Sequence, residues 1–372
     1  MTSGPRLAVA SLLAAAACSG GGGGATDAAD VTLDAATDGP AVIVDAAIDA
    51  RPGPIDYQVP TIPISELLVD TYKGFPGGLY GRSTVPPQAH QVAGRTRAAA
   101  IQPRDAQGNP SATGRYILLS VGMSNATQEW CSAGGGLPCA PQSLMAKAAA
   151  DPLVEHRELA LVNGALGGQT CTRWDQAGDT NWDRVRGVLT GQGFSEAQVQ
   201  AIWLKCAEAQ PTVALPAPNA DAYAVERAIG GIVRTARSRY PNLQMIFISD
   251  RIYAGYATSN LNPEPYAYET GFAVKWAIEA QIRQRATGAI DPIAGDLGPT
   301  VAPWIGWGPD LWANGATARG DGLTWLPGDY QADGTHPATS GENKVSALLL
   351  AFFETAPLTR CWFLANQACA AP

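Results

Sequence analysis

Two short blocks, far apart in the chain, hold the side chains best suited to chemistry. Val121-Gly122-Met123-Ser124-Asn125 offers a serine, and Asp333-Gly334-Thr335-His336-Pro337 offers a carboxylate three residues before a histidine. A serine hydroxyl is a weak nucleophile until a base removes its proton. Imidazole is that base near neutral pH, and a carboxylate on its Nδ1 fixes the tautomer that leaves Nε2 free. Three residues are about one turn of chain, so Asp333 can reach His336, and Pro337 restricts the backbone just after it. The chain has only three histidines. His90 falls in an irregular lead-in and His156 at the amino end of an expected strand, so only His336 is placed to serve Ser124. The plainer reading of each block stays open: Ser124 as a turn serine or helix cap, and Asp333 with His336 as caps of a helix beginning near Ser340.

The elements that must position these residues follow from the hydrophobic pattern. Residues 116–121 form an apolar run rich in Ile, Leu and Val after a turn-like cluster, which is the mark of a strand buried on both faces. Gly122 ends it and permits a sharp turn. A serine just beyond the carboxyl end of a central strand lies where open α/β sheets place their ligands. Further strands are expected at 159–163, 199–204, 243–249 and 301–307. Helices are expected at 143–150, 179–191, 220–240, 268–285 and 341–353, where apolar residues recur at spacings of three and four. Residues 57–115 read as irregular, with an edge strand at 95–103, and 126–141 as a loop. This alternation predicts a three-layer α/β/α, doubly wound, flavodoxin-like domain over residues 57–372 with a mostly parallel five-stranded sheet.

Composition bounds the remaining possibilities. Of 372 residues, 46% are hydrophobic and 16% charged, enough for a sizeable core. Net charge is −8, but residues 19–56 hold seven Asp against Arg51 alone, so the rest is nearly neutral. Without a basic patch, nucleic-acid binding is not expected. Residues 19–56 begin with a glycine run and continue in Ala, Asp and Thr, which reads as a disordered acidic linker. Residues 1–18 place Arg6 before an apolar stretch from 7 to 17, too short to span a bilayer but suited to an export signal. The segment ends at Cys18 and resembles a bacterial lipoprotein signal, with Ala15 where such signals usually have Leu. Cleavage after an Ala-x-Ala by ordinary signal peptidase is the alternative. Six cysteines then remain, and an even number in an exported chain points to disulfides. Fifteen pairings are possible. Short loops favour 131–139 and 361–369, which leaves Cys171 with Cys206. CxxC spacing and nearby His are lacking, so no metal site is expected, and no cofactor.

Taken together the blocks resemble the SGNH (GDSL-type) hydrolase family, and most its carbohydrate-esterase and sialate O-acetylesterase-like branch. Val121–Asn125 is similar to the family's nucleophile block, with Ser-Asn as in that branch. Asn163-Gly164-Ala165-Leu166-Gly167-Gly168-Gln169-Thr170 is similar to the second block, whose glycine lends an N–H to the oxyanion hole. The resemblance gives that role to Gly167 or Gly168, and the last block to Asp333 and His336. It implies an SGNH-type fold over roughly residues 116–353 and a serine esterase that removes acetyl or similar groups, with acylated carbohydrate or another small ester as substrate. The third block departs from the family: after the strand at 199–204, where an Asn is usual, the chain has Glu208, with Gln210 two residues on as a substitute donor. Asn125, Arg251 and Tyr253 are candidate substrate contacts, Arg251 alternatively in a structural ion pair. Of the ten tryptophans, among them Trp130, Trp174, Trp304, Trp307, Trp312 and Trp325, several fall in post-strand loops where flat faces could stack on sugars, with core packing the default for any single one. The expected protein is exported, touching a membrane only through a lipid on Cys18. A catalytically silent glycan-binding lipoprotein, favoured by Glu208, and an esterase of lipid esters are the alternatives.

Overall fold

The computed structural model describes residues 53–369. The expected signal, Cys18 and the linker up to residue 52 lie outside the described residues. The chain enters through a small sheet of β1 (Asp56–Tyr57), β2 (Thr71–Tyr72) and β3 (Phe75–Pro76), so Asp56 belongs to the fold rather than to the linker. Its carboxylate accepts from the Thr71 hydroxyl and the Gly74 N–H, both at 2.8 Å. Helix α1 (Gln88–Ala98) follows, where the sequence predicts irregular chain and an edge strand. His90, Gly94 and Ala98 bury one face of this otherwise polar helix against the sheet edge, a packing that the weak alternation at 95–103 does not reveal.

The central sheet comprises β4 (Tyr116–Gly122), β5 (Leu159–Asn163), β6 (Val199–Lys205), β7 (Met245–Ile248) and β8 (Trp304–Trp307), in the order β5-β4-β6-β7-β8 with every pair parallel. This is the doubly wound, flavodoxin-like sheet expected. Successive residues feed opposite layers. Ile117, Leu119 and Val121 enter one core with Ile202, Leu204, Ile246 and Ile248, while Tyr116 and Leu118 enter the other with Trp203 and Phe247. Burial on both faces is why the strands read as continuous apolar runs. Helices α4 (Thr180–Gly191), α5 (Asp221–Arg239) and α6 (Tyr266–Thr287) supply the first layer. Helices α2 (Ser124–Trp130), α3 (Leu144–Ala150), α7 (Thr339–Thr355) and α8 (Arg360–Phe363) join α1 in the second. Helix α2 occupies part of the expected 126–141 loop.

The chain leaves β4 for β5 on one side and returns to β6 on the other, so the sheet's switch point lies at the carboxyl end of β4. Gly122 makes the close approach there possible: its φ is +145°, and a Cβ would lie 1.9 Å from the Lys205 carbonyl oxygen. Disulfides join Cys131–Cys139, Cys171–Cys206 and Cys361–Cys369, the pairing that loop length favours. No described helix is long and apolar enough to cross a membrane.

Candidate active site

Ser124 is the first residue of α2, entered through extended Met123 directly after β4. Its hydroxyl lies 2.8 Å from Nε2 of His336, and Nδ1 of His336 lies 2.5 Å from Oδ2 of Asp333. Asp333 Oδ1 also accepts the N–H groups of Thr335 and His336, both at 3.0 Å. Burial pushes the Asp333 carboxyl up, but the His336 N–H, the imidazole and the Thr335 N–H outweigh it and hold the carboxyl below its ordinary range. The carboxylate thus stays charged and orients the ring. The same two blocks that stood out in the sequence, 212 residues apart at Ser124 and His336, form one hydrogen-bonded line.

A polar network holds the second block beside the first. Ser120 Oγ donates to Asn163 Oδ1 at 2.7 Å, and Asn163 Nδ2 donates to Thr127 Oγ1 at 2.7 Å. The Leu166 N–H donates to the Gly122 carbonyl at 3.1 Å. Gly167 therefore sits against Ser124: a Cβ placed on it would be 3.7 Å from Ser124 Cβ. Gly168 has φ +74°, which side chains other than glycine rarely adopt. No hydrogen bond within the described residues engages the N–H of Gly167 or Gly168. The Ser124 N–H belongs to a helix's first turn, where N–H groups lack intrahelical partners.

These groups face one cavity of about 290 Å³. Ser124, His336, Gly167, Gly168 and Asn125 line it, joined by Glu208, Arg251 and Asn262. A larger surface groove, of about 600 Å³ around Arg234 and Arg237, contains neither Ser124 nor a histidine. Glu208 stands where the resemblance leads one to expect an Asn, but its carboxylate accepts from the Thr172 N–H (2.8 Å) and hydroxyl (3.0 Å), which ties it to the cavity wall. Burial raises its pKa, and the bonds from Thr172 and Thr170 oppose that rise.

Other residues singled out from sequence fall elsewhere. Gln210 is exposed in a turn at φ 56°, its N–H bonded to the Asn260 carbonyl, and does not line the cavity. Tyr253 packs its ring on Tyr256 and Trp312, also outside the cavity. Asn125 does line it but is 1% exposed, and its Nδ2 donates to the Thr335 carbonyl at 3.1 Å, tying the serine block to the histidine block. The six tryptophans named are all at most 4% exposed, and none lines the cavity, so the default of core packing holds for each. Their rings are large enough that the core claims them. His90 is buried, bonded through Nε2 to the Ile305 carbonyl and stacked on Trp304. His156 is exposed, its Nε2 on the Asp151 carbonyl.

Sequence reasoning missed two features. Lys205, at the end of β6, and Glu129, in α2, are 0% exposed and pair at 2.6 and 2.8 Å, clamping α2 and Ser124 to the sheet. Burial opposes both charges, raising the Glu129 pKa and lowering that of Lys205. Asn262, in the loop between β7 and α6, reaches the cavity beside Glu208. Neither carries a local sequence signal.

No family model matches the chain, and no curated protein matches its sequence. Solved structures similar to it include a salicylyl-acyltransferase from a tetracycline biosynthetic pathway, at 15% identity and a TM-score of 0.33, covering 67% of this chain and 58% of that one. A carbohydrate esterase family 2 enzyme with a carbohydrate-binding domain from Corynascus thermopiles (Myceliophthora fergusii) aligns at 12% identity and 0.35, covering 64% and 65%. A GDSL-like lipase from Bacteroides thetaiotaomicron aligns at 12% and 0.33, covering 70% and 96%. The chain spans less than two thirds of the length of the first two. Scores this low carry no functional inference, and the reading below rests on this chain's own residues.

Proposed function

We propose that this chain is a serine esterase of the SGNH type that hydrolyses small acyl esters, acetyl above all, on carbohydrate. The observation that carries the reading is the Ser124–His336–Asp333 line, at 2.8 and 2.5 Å, opening into a cavity beside the Gly167–Gly168 turn. In this reading Ser124 Oγ attacks the ester carbonyl as His336 Nε2 takes its proton. The carbonyl oxygen becomes an oxyanion between the N–H groups of Ser124 and the Gly167–Gly168 turn. His336 returns the proton to the leaving alkoxide as the C–O bond breaks, giving the alcohol and an acyl-Ser124. Water, deprotonated by His336, then releases the acid and restores the serine. Asp333 holds the tautomer and stabilises the imidazolium. No step calls for a metal or organic cofactor.

The size of the cavity, about 290 Å³, supports a small substrate. Asn125, Thr170, Glu208, Arg251, Asn262 and Thr335 line it beside Met123, Ala207, Ala209 and Leu261, a mixed polar and apolar wall that suits a short acyl group on a hydroxylated carrier. The glycan-capture alternative loses its stacking surface with the burial of the tryptophans. Export fits the three disulfides, which persist in oxidising compartments. A lipid on Cys18 is proposed as the membrane tether. The test is hydrolysis of a chromogenic acetate ester and release of acetate from acetylated sugars, beside an equally folded Ser124→Ala variant. Activity that the variant lacks supports the reading. Activity equal in both proteins refutes it.

A further inference from the structure

Another cavity, of about 370 Å³, opens at the β8 edge of the sheet and shares no residue with the catalytic one. Helix α7 runs between the two regions: it begins at Thr339, just after His336, and places Phe352 about 20 Å further on. Tyr80, Phe247, Trp304, Trp307 and Phe352 line this second cavity. Trp304 and Trp307 are 1% and 4% exposed, which puts them at its floor, while Val85, 60% exposed, stands at its rim. The floor is fixed, because Trp304 Nε1 donates to the His90 carbonyl at 3.0 Å and Trp307 Nε1 to the Leu79 carbonyl at 2.8 Å. With both indole N–H groups bonded to backbone, the floor offers apolar ring surface. Gln91 Nε2 donates to the Pro86 carbonyl at 2.7 Å and so holds the rim segment to α1.

The lining carries one charge. Arg95, in α1, lines the cavity and no Asp or Glu does, and the Arg95 guanidinium makes no hydrogen bond or ion pair among the described residues. Tyr80 adds a second donor: its hydroxyl accepts the Trp307 N–H at 3.1 Å, and its own hydrogen has no acceptor among the described residues. Burial pushes this phenol up to about 12, so it keeps its proton. Arg285 opposes the protonation of His90, which stacks on Trp304 at 4.8 Å, so further positive charge lies near the floor. Small-molecule sites are concave and mostly apolar, with a few placed polar groups, and this cavity has that make-up. Its excess of positive charge selects an anion, and a guanidinium matches a carboxylate edge. Flat walls favour a flat body over a chain. A cavity of about 150 Å³ holds one benzene, so this one has room for two fused rings. We propose that the cavity is a binding site for an aromatic monocarboxylate, its rings on the indole floor and its carboxylate on Arg95.

The test is calorimetric binding of 2-naphthoate to the full-length chain, beside neutral 2-naphthamide. A ligand of this size at ordinary efficiency binds with a Kd of about 1 mM or tighter. A bond to a charged partner changes binding by about 10- to 150-fold, so the acid should be favoured over the amide by about tenfold or more. Arg95→Gln should remove that preference and leave hydrolysis of an acetate ester unchanged, because Arg95 lies outside the catalytic cavity. Val85→Glu, at an exposed rim position, should weaken the acid and not the amide, and it carries the comparison if Arg95→Gln does not fold. No saturable binding of 2-naphthoate by the wild type overturns the proposal. So does equal binding of acid and amide, or an Arg95→Gln variant that binds the acid as tightly as the wild type. Competition between 2-naphthoate and the acetate ester would put the acid in the catalytic cavity and overturns it too. Dodecanoate bound more tightly than 2-naphthoate would put an acyl chain there and overturn the aromatic assignment. Binding is read without hydrolysis, so this site and the esterase reading stand or fall separately.

Discussion

The Cys171–Cys206 disulfide should matter more to activity than either of the other two. It joins the end of the second block, three residues past Gly168, to the residue after β6, so it fixes two edges of the cavity at once: Thr170 on one side, Ala207 and Glu208 on the other. Its sequence separation is 35, against 8 for each of the others. Loop-closure entropy then assigns it about 3.8 kcal/mol, and about 2.5 kcal/mol to each short loop. For a domain of about 320 residues, losing about 3.8 kcal/mol lowers Tm by about 6 °C. Cys171→Ala with Cys206→Ala also frees the Gly167–Gly168 turn to drift from Ser124. We expect kcat on an acetate ester to fall toward the ~10²-fold loss that removal of one oxyanion donor causes. The assay is thermal unfolding and steady-state hydrolysis, measured well below Tm on the three double variants side by side. A Cys171/Cys206 variant that is less stable but keeps wild-type kcat would refute the role given to the turn. Equal destabilisation of all three would refute the loop-length argument.

Three further outcomes are expected. Burial lowers the His90 pKa to about 4, so the unfolded chain takes up the proton first as pH falls. Stability that is complete above about pH 6.5 is therefore lost down to pH 4, by about 3 kcal/mol; His90→Gln should flatten that part of a urea-unfolding profile, and an unchanged slope would contradict it. Lys205→Met should cost about 3–5 kcal/mol in the same assay by stranding Glu129, with most recovered on adding Glu129→Gln; no recovery would show that Lys205 acts by packing alone. Glu208→Gln should change kcat/KM on a neutral acetate by less than about threefold, because Thr172 holds the carboxylate; a rise of ~10² would show that the charge does oppose the oxyanion.

The sheet was legible because its strands are buried on both faces and must be continuously apolar; residues 116–121, 159–163 and 199–204 announced themselves for that reason. Helix α2 was not legible. Ser124–Trp130 has no apolar stripe, and it buries Asn125, Thr127 and Glu129 through bonds to Thr335, Asn163 and Lys205. Helix α1 was hidden likewise, since only His90, Gly94 and Ala98 of its face are buried. The meeting of Ser124, His336 and Asp333 was legible because few residue types suit such a line and His336 has an acid three residues before it. Gln210 and Tyr253 were chosen by distance along the chain from a strand end. A turn at φ 56° and an aromatic cluster carry them elsewhere. Asn262 and the Glu129–Lys205 pair depend on contacts between distant segments, which spacing in one sequence does not encode.

The central claim is that Ser124 is a nucleophile activated by His336. The most direct measurement is the intact mass of the chain after brief exposure to a fluorophosphonate, with the adduct located by peptide sequencing. The account predicts a single adduct on Ser124, absent from Ser124→Ala and slowed strongly in His336→Gln. No adduct on folded wild-type protein, or equal labelling of the wild type and Ser124→Ala, would contradict it.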